Sequence, residues 1–213
     1  VNRLEGKIIL VTGSTSGIGL AVAERLLSKG AGVILHGQKP AEDLPASVSE
    51  LLADSTKARY IWADLGDSSA ATELPHRASA MWGGLSGVVL NAAVAFHQDW
   101  LSVTPDEWKS VMAVNVLAQL LVAQSSTPYL RDSEGSIVVV SSTNALRVNK
   151  KNLVYDSAKA ALNHMAKAWA LELKDDRVRV NVVMPGGVDT PMLESWLKEY
   201  SGSELGAAAV LQE

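Results

Sequence analysis

Tyr155 and Lys159 stand four residues apart in Tyr155-Asp156-Ser157-Ala158-Lys159, and Ser142 lies thirteen residues before Tyr155 at the end of an apolar run. A helix places i and i+4 on one face, so the Lys159 ammonium can sit beside the Tyr155 phenol and favour its ionised form. A phenol of ordinary pKa near ~10 yields little phenolate at neutral pH, and each tenfold gain is worth about 1.4 kcal/mol. Ser142 adds a hydroxyl that can orient a substrate oxygen. Together the three can pass a proton to or from an oxygen whose carbon gains or loses hydride. Singly they are weak signals: Ser142 can equally finish or cap a strand, and a Tyr/Lys pair at this spacing arises readily on an amphipathic helix.

The elements that must position these groups alternate between strand and helix. Ile8-Ile9-Leu10-Val11 predicts a strand over 7–12, helical periodicity follows in Ile18, Ala21, Val22, Leu26 and Leu27, and Gly30 stops it before the strand Val33-Ile34-Leu35. The polar stretch 39–55, broken by Pro40 and Pro45, leaves room for a short helix over 48–53. Further strands are expected at 60–63, 88–90, 137–140 and 178–183, with an irregular helix over 69–81 and long helices over 104–124 and 156–173. Thr104, Pro105 and Glu107 supply an N-cap, a first-turn proline and the third-position acid of a capping box. The pattern implies an α/β fold: a Rossmann-like, doubly wound parallel sheet of six strands with helices on both faces, in one domain over 1–213.

Composition narrows the partners. The 213 residues carry 19 basic and 23 acidic side chains, a formal charge of −4, with no long basic run to hold a nucleic-acid backbone. Cysteine is absent, which removes disulfides, thiolate catalysis and cysteine-ligated metal, and the histidines are scattered rather than clustered as metal ligands. No apolar run reaches about 18 residues, and the start shows no basic-then-apolar signal, so a soluble cytoplasmic protein without a membrane partner is expected.

Thr12-Gly13-Ser14-Thr15-Ser16-Gly17-Ile18-Gly19 joins the first strand to the first helix, where glycines let backbone approach a diphosphate and helix-end amides favour the anion. The spacing is G-x-x-x-G-x-G, and the Gly-Lys-Ser/Thr ending of a triphosphate loop is missing. After the second strand, Gly37-Gln38-Lys39 offers no acid to the adenosine ribose; Gln38 can donate and Lys39 can offset a 2′-phosphate, so NADP is favoured, with NAD as the alternative. Lys39 can also be a solvated loop charge. Asp64, before Leu65, is a candidate acceptor for the adenine amine or a turn cap.

Taken together these motifs resemble the short-chain dehydrogenase/reductase superfamily, and its single-domain NADP-dependent 3-oxoacyl-carrier-protein reductases in particular, from Leu4 to about Leu193. The resemblance makes Thr12 to Gly19 the cofactor turn, with Gly13, Ser14, Thr15, Ser16, Gly17, Ile18 and Gly19 against the dinucleotide. It sets Asn91-Ala92-Ala93 beside adenosine, Ala93 replacing a usual glycine. Asn115 falls where the family supports a water relay to Lys159 through a main-chain irregularity, although it can equally be a satisfied core amide. Lys159 would also hold the nicotinamide ribose. In Pro185-Gly186-Gly187-Val188-Asp189-Thr190, Val188 would meet the carboxamide and Thr190 the phosphates.

Family members commonly continue some 30 to 40 residues further, with another helix and a seventh edge strand, which the short Ala207-Ala208-Ala209-Val210-Leu211 run cannot supply; the chain is therefore expected to be trimmed or incomplete there. Phe96, His97, Trp100 and a 191–200 segment with Trp196, Leu197 and Tyr200 are candidates for the substrate wall and lid, and Arg147, Lys150 and Lys151 are solvated charges or an attraction for an acidic substrate. The expected activity is reversible reduction of a small or medium ketone. A cofactor-binding relative with little turnover, and an epimerase or dehydratase on the same scaffold, are the alternatives. Surplus apolar surface on the two long helices points to a homodimer or tetramer, the pairing that the resemblance also implies.

Overall fold

The computed structural model describes residues 3–201, with side chains through Leu197; the 207–211 run, the first two residues and the Tyr200 side chain lie outside the described residues. Six parallel strands, β1 (Ile8–Val11), β2 (Gly32–Gly37), β3 (Ala58–Trp62), β4 (Gly87–Leu90), β5 (Ser136–Val140) and β6 (Arg179–Val183), form one sheet in the order β3-β2-β1-β4-β5-β6. Leu10 registers with Ile34 on one side and Val88 on the other. Because side chains alternate across a strand, Ile9, Val11, Val33 and Leu35 pack to one face beneath α1 (Gly17–Ser28) and α2 (Ala46–Asp54). Leu10, Ile34, Leu90 and Ile137 pack to the other, with Leu74 of α3 (Ser68–Ala80), Leu130 of α5 (Ala118–Ser133) and Leu162 of α6 (Leu153–Glu172). Strands buried on both faces explain the continuous apolar runs.

Strand order reverses between β1 and β4, and in such sheets the crevice beyond the strands' carboxyl ends at that reversal is where a ligand fits. The glycine turn follows β1 and Asn91 follows β4, so both open on it.

Most boundaries shift by one or two residues, as β3 and α2 do, but two helix boundaries differ by three or more. The helix that begins after Thr104, with both halves of its capping box formed, does not stop near 124: α4 (Pro105–Met112) passes through a π turn (Ala113–Leu117) into α5. Ser-Ser-Thr-Pro at 125–128 reads as a stop, yet Ser126 Oγ and Thr127 Oγ1 donate back to the Val122 and Ala123 carbonyls at 2.6 and 2.9 Å, and Pro128 stays inside the rod. The true end is Glu134 in the left-handed region at φ 47°, where Gly135 N donates to Leu130 O at 2.8 Å. By length and composition 105–133 would suit a membrane span, but α5 packs on α3 and against β4. The catalytic-side helix α6 begins at Leu153, three residues earlier than expected, which sets Tyr155 in its first turn. The 191–200 lid segment is the helix α7 (Pro191–Ser201).

Candidate active site

The turn after β1 is held from beneath by side chains that the glycine pattern alone does not show. Gly13 and Gly17 take φ of 62° and 52°, and a Cβ on Gly13 would come within 2.8 Å of Ala92 Cα. A Cβ on Gly19 would run into Gly13 O, so that glycine serves helix-to-turn packing. Thr12 Oγ1 accepts from Asn91 N and Ala92 N at 2.9 and 3.1 Å, and Asn91 Nδ2 donates to Thr12 O and Gly13 O, both at 3.0 Å. The ends of β1 and β4 are thus locked together.

His36, in β2, is the residue that sequence reasoning passed over. Its Nδ1 accepts from Gly13 N at 3.1 Å, which assigns the proton to Nε2, 3.1 Å from the Ala63 carbonyl. Burial, the largest influence, lowers its pKa to about 4, with the Ala63 bond opposing. The available signal was a polar residue in an otherwise apolar strand. Because the native ring stays neutral where the unfolded one takes a proton near pH 6.5, this stability is present above pH 6.5 and lost as pH falls toward 4. The loss is roughly 3 kcal/mol. In His36→Asn, chemical denaturation at pH 7 and pH 4 should show a pH-dependent loss smaller by about 3 kcal/mol; an unchanged slope would reject this role.

A cavity of about 750 Å³ runs from the glycine turn to α6 and α7. Gly13, Thr15, Ser16, Gly17 and Ile18 line one end. Gly37, Gln38, Leu65, Asn91 and Ala92 also line the cavity, as do Pro185, Gly186, Val188 and Thr190, the last beside Gly17. Ser142, Tyr155 and Lys159 reach the same space. Among the described lining residues none is acidic, while Lys159 and Arg147 are cationic.

Of the substrate-wall candidates, Phe96, Trp100 and Leu197 do not line the cavity, Phe96 and Trp100 being exposed and Leu197 buried, and five of the catalytic and cofactor candidates also stand outside that lining. Ser14 is fully buried, donating to Val11 O at 2.8 Å and accepting from His36 N at 2.9 Å. Gly19 is packed as described. Asp64 Oδ1 accepts from Gln38 Nε2 at 3.0 Å and Gly66 N at 2.9 Å, which joins it to Gln38. Lys39 offers its backbone carbonyl to Tyr60 Oη at 2.6 Å. Asn115 lies in the π turn, fully buried, its amide spanning Val94: Oδ1 accepts from Val94 N and Nδ2 donates to Val94 O, both at 2.8 Å. Gln119, also overlooked, donates to the Val114 and Ala92 carbonyls at 2.9 and 3.0 Å. The π turn is thereby tied to the Asn91-Ala92-Ala93 segment.

Lys159 Nζ donates to Val140 O at 2.9 Å and lies 5.6 Å from the Tyr155 ring centroid. Its side chain is buried, and desolvation lowers its pKa to about 8. Tyr155 is shifted upward by burial, a Ser142 hydrogen bond opposing and the Asp156 charge reinforcing. The expected lowering of Tyr155 by Lys159 is therefore not what this geometry gives: the ammonium is engaged by a carbonyl, and burial dominates. Ser142 does cap a short 3-10 turn (Thr143–Ala145), accepting from Asn144 N at 3.1 Å, and this leaves its proton available to the tyrosine side.

A family model described as short chain dehydrogenase matches residues 7–201. The chain belongs to the short-chain dehydrogenase family. It is an oxidoreductase by that membership. Versicolorin reductase stcU of Emericella nidulans is 34% identical over 198 residues, covering 93% of this chain and 75% of that one. A short chain dehydrogenase from Burkholderia cenocepacia J2315, solved in complex with NADP, superposes with TM-score 0.86 at 34% identity, covering 99% and 82% of the two chains. A 3-oxoacyl (acyl-carrier-protein) reductase from Agrobacterium tumefaciens C58 with NADP bound gives TM-score 0.85 at 32% identity, covering 95% and 78%. As a short-chain dehydrogenase, the chain presents its tyrosine, lysine and serine in one cavity with its glycine turn.

Proposed function

We propose that this short-chain dehydrogenase reduces a ketone to an alcohol, reversibly, using NADP(H). The observation that carries the reading is the meeting of Ser142, Tyr155 and Lys159 with the glycine turn in one cavity. The residues fit a dinucleotide: Gly13 and Gly17, both at positive φ, bring bare backbone to the cavity, and the amino end of α1 and a wall without carboxylates would face the phosphates. Gln38, not an acid, stands at the adenosine-ribose end, which favours the 2′-phosphate form, as do the NADP-bound relatives.

When bound, the nicotinamide supplies hydride to the carbonyl carbon. Tyr155 protonates the developing alkoxide. Its upward-shifted pKa keeps it protonated at neutral pH, the state that reduction requires. Ser142 donates to the same oxygen and holds it in line. Lys159 would hold the nicotinamide ribose, and the π turn at Asn115, whose own amide is taken up by Val94, would support the relay that returns the proton to it. His97, Met192, Leu193 and Trp196 line the far end of the cavity, with the His97 and Trp196 rings edge-to-face at 6.0 Å. This wall suits a ketone carried on a flat, largely apolar body.

The protein works on this small molecule as a cytoplasmic homodimer or tetramer, independent of nucleic acid and membrane. Exposed Trp108, Leu117, Leu153 and Leu171 on the long helices support a subunit contact. Titration should show NADPH binding at least about tenfold tighter than NADH, worth about 1.4 kcal/mol. Equal or tighter NADH would overturn the cofactor choice, and no NADPH oxidation across a ketone panel would overturn the activity.

A further inference from the structure

We infer that Asp156 is a positioning residue, whose carboxylate clasps the 143–152 loop to the head of α6 and thereby sets Ser142 against Tyr155. The inference rests on the catalytic reading of those two residues. Asp156 Oδ1 accepts from Asn144 Nδ2 and Asn152 Nδ2, both at 2.7 Å, and Oδ2 accepts from Asn149 N at 2.9 Å. Asn149 Nδ2 donates in turn to Asn144 Oδ1 at 3.1 Å. Three points along the loop converge on one side chain. Asn144 is the link to catalysis, because its N–H is also the donor that fixes Ser142 Oγ.

Asp156 is only 6% exposed, and among the described residues no ammonium or guanidinium lies within ion-pair distance of its carboxylate. A buried charge held by amide donors rather than by an ion pair is costly, so an ordinary packing role would be better served by an amide or an apolar group. What a carboxylate offers is acceptor-only character: it takes all three donors at once, through short charge-assisted bonds. An amide of the same shape must turn an N–H toward one of them.

The groups around Asp156 are Asn144, Asn149 and Asn152 with Arg147, Lys150 and Lys151 from the loop, His97 and Asp99 from the segment after β4, and Tyr155 and Lys159 from its own helix. Burial, the largest influence, raises its pKa; the three bonds and His97 oppose. The sign follows: a carboxyl with a raised native pKa contributes stability at low pH that is lost as pH rises through that pKa. At neutral pH ionised Asp156 is thus a burden on the fold, while protonation on acidification costs it one acceptor and loosens the loop.

The test is Asp156→Asn, with Asn152→Ala as a second variant that removes one donor and leaves the charge. At pH 7, kcat/KM for ketone reduction should fall at least about tenfold, the loss of one hydrogen bond to a charged group. NADPH Kd should stay within about twofold, since no contact to the cofactor end changes. Thermal stability should not fall in Asp156→Asn, amide hydrogen exchange over 143–152 should quicken in both variants, and Asp156→Asn should lose the acid-side decline of the wild-type pH profile. Unchanged exchange and kcat/KM would overturn the inference, as would a loss of activity that tracks a loss of global stability. Hydrogen exchange needs no substrate, so it decides the clasp even if wild type reduces no ketone, a result that would instead overturn the catalytic reading.

Discussion

Replacing Tyr155 with Phe should lower kcat/KM for ketone reduction by about a thousandfold, within the range supplied by a positioned general acid. The substitution removes one oxygen and keeps the ring that packs in the first turn of α6. Cofactor affinity should therefore stay within about twofold of wild type, because the glycine turn, Gln38 and the 185–190 wall are untouched. Burial raises the Tyr155 pKa, and the Asp156 charge adds to it. In the reductive direction the wild-type phenol is in its working state across neutral pH. In the oxidative direction the phenolate is required, so the rate should climb into the alkaline range and show no plateau at neutral pH. Steady-state NADPH oxidation and product formation check the first statement, and the pH profile of alcohol oxidation checks the second. Near-normal reduction by the phenylalanine variant would place the proton donor elsewhere.

Lys159→Met should abolish turnover to a similar degree without unfolding the protein. Two terms of opposite sign act on stability. Burial lowers the Lys159 pKa from 10.5 to about 8, so holding the ammonium inside at pH 7 costs roughly 3 kcal/mol, which methionine relieves. Against this, the Val140 carbonyl loses its partner, a penalty of about 1–3 kcal/mol. The sum lies near zero or favours the variant. In the wild type, the folded lysine binds fewer protons than the unfolded one between pH 8 and 10.5, so its contribution to stability rises with pH across that window and is absent from the variant. Denaturation of both proteins at pH 7 and 10, beside kcat/KM, separates the roles. A large stability loss at pH 7 would make Lys159 a structural residue first.

The alternation of strands and helices was readable because the inner strands β1, β2, β4 and β5 are apolar on both faces, and stops have local causes, such as the glycine at 30. The cluster at Tyr155 was readable because its geometry is that of a single helix turn. What escaped depends on partners distant in sequence. His36 acts through Gly13 and Ala63, and Gln119 through Ala92, links that no local pattern encodes. The overrun of α5 past 124 depends on hydroxyls bonding back along the helix, which sequence reads equally well as a turn. Lys39 and Asp64 stand just outside the cavity lining: Tyr60 holds the Lys39 backbone carbonyl, and Gln38 joins Asp64 to the cavity edge. Asp156 sat unremarked inside the motif that named its neighbours. Its significance appears only when the loop folds back upon it.

The most direct test of the account is the fate of the transferred hydrogen. Wild-type protein should be incubated with a ring-bearing ketone and NADPH deuterated at both nicotinamide C4 positions, and the product analysed by mass spectrometry and NMR. The expected product is an alcohol with one deuterium on the carbinol carbon, formed with one NADPH oxidised per molecule. An isomerised or dehydrated product without deuterium, formed with no net NADPH oxidation, would contradict it.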